Sequence, residues 1–287
     1  MVDWISNRLF RLALGIMLRL PWQARLQFAS ALAAHLIAPL AGWRRRIRDN
    51  LATIFPELST SEIRRLEKEV PGNVGRTFVE IYSSDEFSAR IKTEELTGPG
   101  VDALEKARAE GRPVLLVTGH IGNYDAMRAA LIARGYPVGG LYKPMANRFF
   151  NAHYVRAMEQ IGTPMFPKNR SGMGSMLKFL RKGGMLGIVI DQYVAHGAPL
   201  SFMDEPALTA LSAAEIALKL DALVVPVYGI RRPDLGFDLI VSHEIPKGTP
   251  EEMTQALNDD LAEQVRAHPE QWIWMHRRWR PRPEGMA

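Results

Sequence analysis

His120 and Asp125 stand five positions apart in PVLLVTGHIGNYDAMRAAL, where a run of strand-forming residues from Pro113 ends at Gly119. An imidazole near neutral pKa can take a proton from a hydroxyl as that hydroxyl attacks a carbonyl. A carboxylate on the other ring nitrogen fixes the tautomer and stabilises the imidazolium. Within one continuous helix a five-residue offset turns the side chains about 140° apart, at roughly 100° per residue. The two groups therefore meet only if His120 lies in a loop and Asp125 in the first helical turn. Gly122–Asn123 supplies the break, with Asn123 as the expected N-cap. Seven histidines and 31 acidic residues make the bare spacing uninformative; its place at the end of the most apolar strand gives it weight. No protein nucleophile is needed if the substrate brings its own hydroxyl, and both G-x-S-x-G and cysteine are absent. Neither H-E-x-x-H nor a histidine-rich cluster occurs, so neither a metal nor an organic cofactor is expected.

The elements that must carry this pair alternate. VLLVT, VGGLY, PMFP, MLGIVID, ALVVPVYGI and FDLIVS read as strands. Helical segments fall between them, near 124–134, 147–161, 174–181 and 208–220, with another at 250–267. Continuous apolar strands alternating with helices predict an α/β fold, a mostly parallel central sheet flanked by helices. Such sheets place chemistry beyond the carboxyl ends of their strands, here VTGH and IVIDQ. Asp191 and Gln192 close the second of these. A carboxylate there is costly unless partnered, so it either serves the site or pairs with a cation such as Arg156. Residues 60–90 read as helices capped by Ser59 or Thr60 and punctuated at Pro71–Gly72. The chain divides into an N-terminal helical region, 1–55, and an α/β domain, 56–287.

Charge is concentrated at the ends. Residues 1–50 hold eight arginines against Asp3 and Asp49, and Arg277, Arg278, Arg280 and Arg282 crowd the tail. No zinc-finger spacing or basic zipper accompanies them, so an anionic membrane surface fits better than nucleic acid. Residues 4–20 carry Trp4, Ile5, Leu9, Leu12, Ile16 and Leu20 on one helical stripe. The uncharged LQFASALAAHLIAPLAGW follows and is only 18 residues long, the lower limit for a spanning helix. We read an amphipathic helical pair lying in the interface, with the cluster from Arg44 to Arg48 facing anionic head groups. A spanning helix and core helices of a soluble protein are the alternatives. The tail interleaves Trp272, Trp274 and Trp279 with basic residues, which suits a lipid interface, base stacking or plain core packing.

GHIGNYD, LYKPMANRFFN with Arg156 downstream, GIVIDQ and PEQWIWMHRRWRPRP together resemble the lipid A biosynthesis acyltransferase family, within the lysophospholipid acyltransferase superfamily. The likeness runs in order from RRRIRDNL to Pro283. It departs where the family more often has glutamate in place of Asp125, and where FMDEPA stands for the family's Phe-Phe-Gly-x-Pro-Ala run. The resemblance implies transfer of an acyl chain from acyl-carrier protein, or coenzyme A, to a hydroxyl of a lipid A precursor at the cytoplasmic face of a bacterial inner membrane. In that scheme His120 is the base and Asp125 orients it. Backbone N–H groups at the start of the 123–134 helix would meet the thioester oxyanion. Arg156 is the expected contact to the acceptor's phosphate or carboxylate, with Lys143, Asp191, Gln192, Arg277 and Arg278 as further substrate-binding candidates. A solvated helix charge is the competing reading of Arg156, and a surface lysine that of Lys143. Two other functions stay open: a glycerolipid or lysophospholipid acyltransferase, and a basic nucleic-acid-binding protein. The first normally carries a Glu-Gly-x-Arg box after the third strand, whereas the EGR here precedes the histidine.

Overall fold

The computed structural model describes residues 2–280, without the side chains at 2, 5, 6 and 9. Ile5 and Leu9 of the apolar stripe and Arg282 of the tail fall outside that description. The N-terminal region is helical: α1 (Val2–Met17), α2 (Trp22–Leu32) running through a π-helical turn (Ala33–Ile37) into α3 (Ala38–Leu40), and α4 (Trp43–Ile54). Then come α5 (Thr60–Ile81), α6 (Ser84–Ile91), β1 (Leu96–Thr97), α7 (Val101–Ala109), β2 (Val114–Thr118) and α8 (Ala126–Ala133). The alternation continues with β3 (Val138–Tyr142), α9 (Arg148–Ile161), β4 (Met165–Pro167), α10 (Arg170–Leu180) and β5 (Met185–Val189). A hairpin, β6 (Ala198–Phe202) and β7 (Glu205–Thr209), precedes α11 (Ser212–Leu220), β8 (Leu223–Arg231), β9 (Phe237–Val241) and α12 (Pro250–Ala267).

Seven strands form one sheet in the order β1-β9-β8-β2-β5-β3-β4. The five from β8 to β4 are parallel, as their two-sided apolar character predicts, and β9 joins β8 antiparallel. Every residue of β2 and β8 is buried. The expected α/β architecture is therefore present. The β6–β7 hairpin is not foreseen from the sequence. Its turn residues, Met203 and Asp204, both take positive φ without the glycine or asparagine that marks such turns.

Pro71 and Gly72 do not break α5, which runs 22 residues from a Ser59–Glu62 capping box. Gly72 and Gly75 instead let α2 approach. A Cβ on Gly75 would lie 2.4 Å from the carbonyl oxygen of Ala29, and one on Gly72 would lie 2.5 Å from Ser30 Oγ. Leu14, Met17, Trp22, Leu26 and Ala29 enter the same core as β2, β8 and β9, so the N-terminal helices pack onto the sheet domain.

Other N-terminal side chains turn outward. Leu12 is 64% exposed, Ile16 58% and Leu40 80%, and Trp4, Phe28 and Leu36 are exposed with them. Among the described residues no single helix is long and apolar enough to cross a membrane; a pair bent by 88°, Trp22–Leu40 with Trp43–Ile54, passes by length and composition alone. Of the Arg44–Arg48 cluster, Arg44 donates to Ala34 O and Arg48 pairs with Glu67 at 2.6 Å, so both are partly committed to the protein.

Candidate active site

β2 and β5 are neighbours paired Val114 with Met185 through Thr118 with Val189. Two residues past each strand, the same register sets His120 beside Asp191. His120 Nδ1 lies 2.7 Å from Asp191 Oδ1, and the His120 backbone N–H donates to Oδ2 at 2.6 Å. Trp272 Nε1 donates to Oδ2 at 2.9 Å. Burial disfavours Asp191's charged form, but the field of His120, its ring and backbone hydrogen bonds and that of Trp272 outweigh it, bringing the pKa down to about 2. An ionised Asp191 makes Nδ1 the protonated nitrogen, leaving the lone pair on Nε2. For His120 itself, burial pushes the pKa down, yet the charge and hydrogen bond of Asp191 prevail and raise it.

Asp125 is elsewhere. Its carboxylate is forked by Arg128, at 2.5 Å to Nε and 3.1 Å to Nη2, and Arg128 also donates to the carbonyls of Met158 and Gly162 at the end of α9. Asn123 Oδ1 accepts the Asp125 N–H at 2.9 Å, and the helix begins only at Ala126, so Asp125, not Asn123, is the N-cap residue. From there the carboxylate turns to the arginine three residues on, which offers two charge-assisted hydrogen bonds. Among the described residues no hydrogen bond joins Asp125 to His120, so the five-residue spacing does not deliver the expected pair.

The start of α8 also differs from expectation. The N–H of Gly122 donates to Gln271 O, Asn123 to Gly229 O, Asp125 to its Asn123 side chain and Ala126 to Asn123 O. These four donors are used inside the protein and are not free for an oxyanion.

Beneath the loop lies a buried polar network that no motif in the sequence announces. Gly122 sits at φ +56, and a Cβ there would fall 2.0 Å from Gly229 O, so only glycine fits. Its carbonyl accepts from Asn73 Nδ2 at 2.8 Å and Thr77 Oγ1 at 2.9 Å, both on α5. One turn on, Glu80 is 0% exposed; it pairs with Arg231 through both oxygens and accepts from Asn123 Nδ2 at 2.8 Å. Arg231 Nε donates to Asn73 Oδ1 at 3.0 Å, closing the ring. The only sequence signal was polar residues at 73, 77 and 80 on one helical face, which reads equally well as a solvated face.

A cleft opens beside His120, walled by Val74, Thr77, Phe78, Tyr124 and Ile273. The Tyr124 ring meets the imidazole edge-on with centroids 5.2 Å apart, and its hydroxyl lies 3.1 Å from that of Tyr154. A larger concavity between α4, the β6–β7 hairpin and Trp279 contains neither His120 nor Asp191, so its size does not make it the site of this chemistry.

The remaining candidates scatter. Arg156, Lys143, Gln192 and Arg277 are exposed. Arg278 is fully buried, donating to Leu208 O at 2.7 Å and Thr209 Oγ1 at 2.5 Å and lying over the Phe202 ring. Burial lowers its pKa to about 10. It cannot reach a substrate as it stands, which corrects its assignment as a binding residue. Trp272 and Trp274 are likewise 0% exposed, and Trp279 Nε1 donates to Phe202 O, so these tryptophans pack into the core rather than form a lipid or base-stacking surface. His276 accepts the Tyr193 N–H through Nε2 at 3.0 Å and so ties the tail to the loop after Asp191. Among the described residues no cluster of potential metal ligands occurs.

A mostly parallel α/β sheet thus sets a carboxylate-bound histidine beside an apolar cleft. The chain belongs to the bacterial lipid A biosynthesis acyltransferase family, whose model matches residues 2–281, and it is an acyltransferase. It is 26% identical over 250 residues to the lipid A biosynthesis lauroyltransferase of Escherichia coli (strain K12), covering 84% of this chain and 80% of that protein. To the palmitoleoyltransferase of the same strain it is 24% identical over 245 residues, 83% of this chain and 79% of the relative. A phosphatidylinositol mannoside acyltransferase of Mycobacterium tuberculosis (strain CDC 1551 / Oshkosh) is 23% identical over 216 residues, 71% and 67% of the two chains.

Proposed function

We propose that this protein moves a fatty acyl chain from a thioester, carried by acyl-carrier protein or coenzyme A, to a hydroxyl of a lipid A precursor. The observation that carries the mechanism is the His120–Asp191 contact. With Nδ1–H held by the carboxylate, Nε2 takes the proton from the acceptor hydroxyl as its oxygen attacks the thioester carbonyl. Asp191 holds the ring and stabilises the imidazolium that forms. The proton then passes from Nε2 to the departing thiolate, which leaves as free thiol and resets the base. Asp125 supports this arrangement from a distance, by fastening the start of α8 to α9 through Arg128. The apolar cleft at Phe78 and Ile273 suits the first carbons of the acyl chain. Arg156 is the acceptor contact, because an exposed guanidinium forks well onto phosphate.

The enzyme acts at the cytoplasmic face of the bacterial inner membrane. Its outward Leu12, Ile16, Phe28, Leu36 and Leu40 enter the lipid interface, with arginines such as Arg8, Arg11 and Arg19 nearby. Purified protein assayed with acyl thioesters of graded length against a lipid A precursor, a lysophospholipid and a phosphatidylinositol mannoside tests the reading. Acylation of the lipid A precursor alone is expected. Preference for the lysophospholipid would move the enzyme to the glycerolipid branch, and preference for the mannoside would follow its mycobacterial relative.

A further inference from the structure

α1 and α9 lie side by side and run in the same direction. Asn147 Nδ2 donates to Asp3 O at 3.3 Å, and further along both helices His153 Nε2 lies 2.8 Å from Asn7 Oδ1. Phe10 stacks on the His153 ring, with centroids 5.6 Å apart and planes 11° apart, and meets Phe150 edge-on at 5.2 Å. Continuing that register by one turn brings Arg11, four residues past Asn7, level with Arg156, three past His153. Both are exposed, and among the described residues neither has a hydrogen-bond or ion-pair partner. Glu159, the next turn of α9, is also exposed and makes no ion pair with Arg156. Burial lowers the pKa of His153, and the fields of both Arg11 and Arg156 lower it further. His153 therefore stays neutral, accepting the Tyr82 hydroxyl at Nδ1 (2.7 Å) and donating to Asn7 from Nε2.

We propose that Arg11 and Arg156 form a two-pronged site for a phosphate monoester carried on a lipid headgroup, assembled across the α1–α9 seam. Two unneutralised guanidiniums at the same level of a helix seam repel, and an anion between them turns that repulsion into two attractions. Each guanidinium presents a planar fork that matches phosphate oxygens. A monoester, carrying more than one negative charge near neutral pH, answers two cations where a diester with one charge does not. The position suits a lipid rather than a free anion: Leu12 follows Arg11 directly and Ile16 lies just over a turn further along α1, and both are exposed apolar residues. α1 is thus part of the acceptor site as well as an anchor, and deleting it removes half of the phosphate grip. The assignment of this phosphate to the acyl acceptor rests on the function proposed above; the existence of the site does not.

Two measurements separate them. The first is binding of the full-length protein to phosphatidylcholine vesicles doped with phosphatidic acid (a monoester) or phosphatidylglycerol (a diester), at matched surface charge. Wild type is expected to bind the monoester vesicles at least several-fold tighter. Arg11→Gln and Arg156→Gln each abolish that preference, and the double variant loses little more, because the prongs act together. Arg19→Gln, an exposed arginine just past the end of α1, weakens both lipids alike and keeps the preference. No preference in the wild type, or a preference that survives both seam variants, overturns the site. Displacement of the vesicles by an equal concentration of inorganic phosphate overturns its assignment to a lipid. The second measurement is acyl transfer to a lipid A precursor with and without its phosphates. Wild type should show a lower KM for the phosphorylated acceptor, and Arg11→Gln should erase that difference with little change in kcat. If no acceptor is acylated while the vesicle preference behaves as expected, the proposed function fails and the phosphate site stands. If transfer proceeds without a vesicle preference, the site fails alone.

Discussion

Two buried aspartates flank the His120 loop, and their charges are met by different partners. Asp125 is neutralised by a guanidinium that also ties down the end of α9. Asp191 faces an imidazole whose second nitrogen has no hydrogen-bond partner among the described residues, with indole and backbone N–H groups completing the aspartate's hydrogen bonds. A guanidinium, which offers only donors, makes the first pair a fastening. A titratable partner makes the second pair able to hold and release a proton. Nearness in sequence is no guide here: the structural aspartate is five residues from His120, and the one that touches it is 71 residues away.

Substitutions at the two carboxylates should therefore behave differently. His120→Ala is expected to reduce turnover roughly 10²- to 10⁴-fold, the usual share of a general base, and Asp191→Asn to approach that loss by favouring the wrong tautomer. Asp125→Asn should instead appear in the melting temperature, because it leaves Arg128 buried beside a neutral partner at a cost of about 3–5 kcal/mol. Turnover per folded molecule should fall much less than in Asp191→Asn. Steady-state kinetics normalised to folded protein, alongside thermal melts, decides the matter. Equal kinetic losses at 125 and 191 would restore Asp125 to the catalytic pair.

The pH profile sharpens the same contrast. The base works only when neutral, and Asp191 raises the pKa of His120, so kcat/KM should fall on acidification through an apparent pKa above histidine's ordinary 6.5. In Asp191→Asn the raising influence is gone and burial remains, so the acid limb should move to lower pH. Asp125→Asn should leave the limb in place. A wild-type limb below 6.5, or one unmoved in Asp191→Asn, would disconnect the observed titration from this pair.

A smaller contrast tests the two neighbouring tail arginines. Arg278→Met empties the guanidinium site at Leu208 and Thr209 and should destabilise by about 1–3 kcal/mol, the cost of leaving buried partners unmet. Exposed Arg277→Gln should change stability by no more than about 0.5 kcal/mol. Urea denaturation of both variants is the measurement, and equal midpoints would mean that Arg278's buried contacts contribute nothing net.

The alternation of apolar strands and helices was legible along the chain because each element's periodicity is local, and so were the strand ends where chemistry would gather. His120 was legible as well, since a histidine after a buried strand and a glycine has few reasons to be there. The carboxylate that meets it was decided by the pairing of β2 with β5, which aligns positions 120 and 191 and which no local pattern encodes. The loop's support, from Asn73, Thr77, Glu80 and Arg231, likewise exists only once α5 and β8 converge beneath Gly122, because hydrogen-bond partners far apart in sequence leave no periodic trace. The tail reads as a basic aromatic surface on composition alone. Folding reverses that reading: the tryptophans find a core to fill, and Arg278 finds carbonyl and hydroxyl oxygens that replace its water.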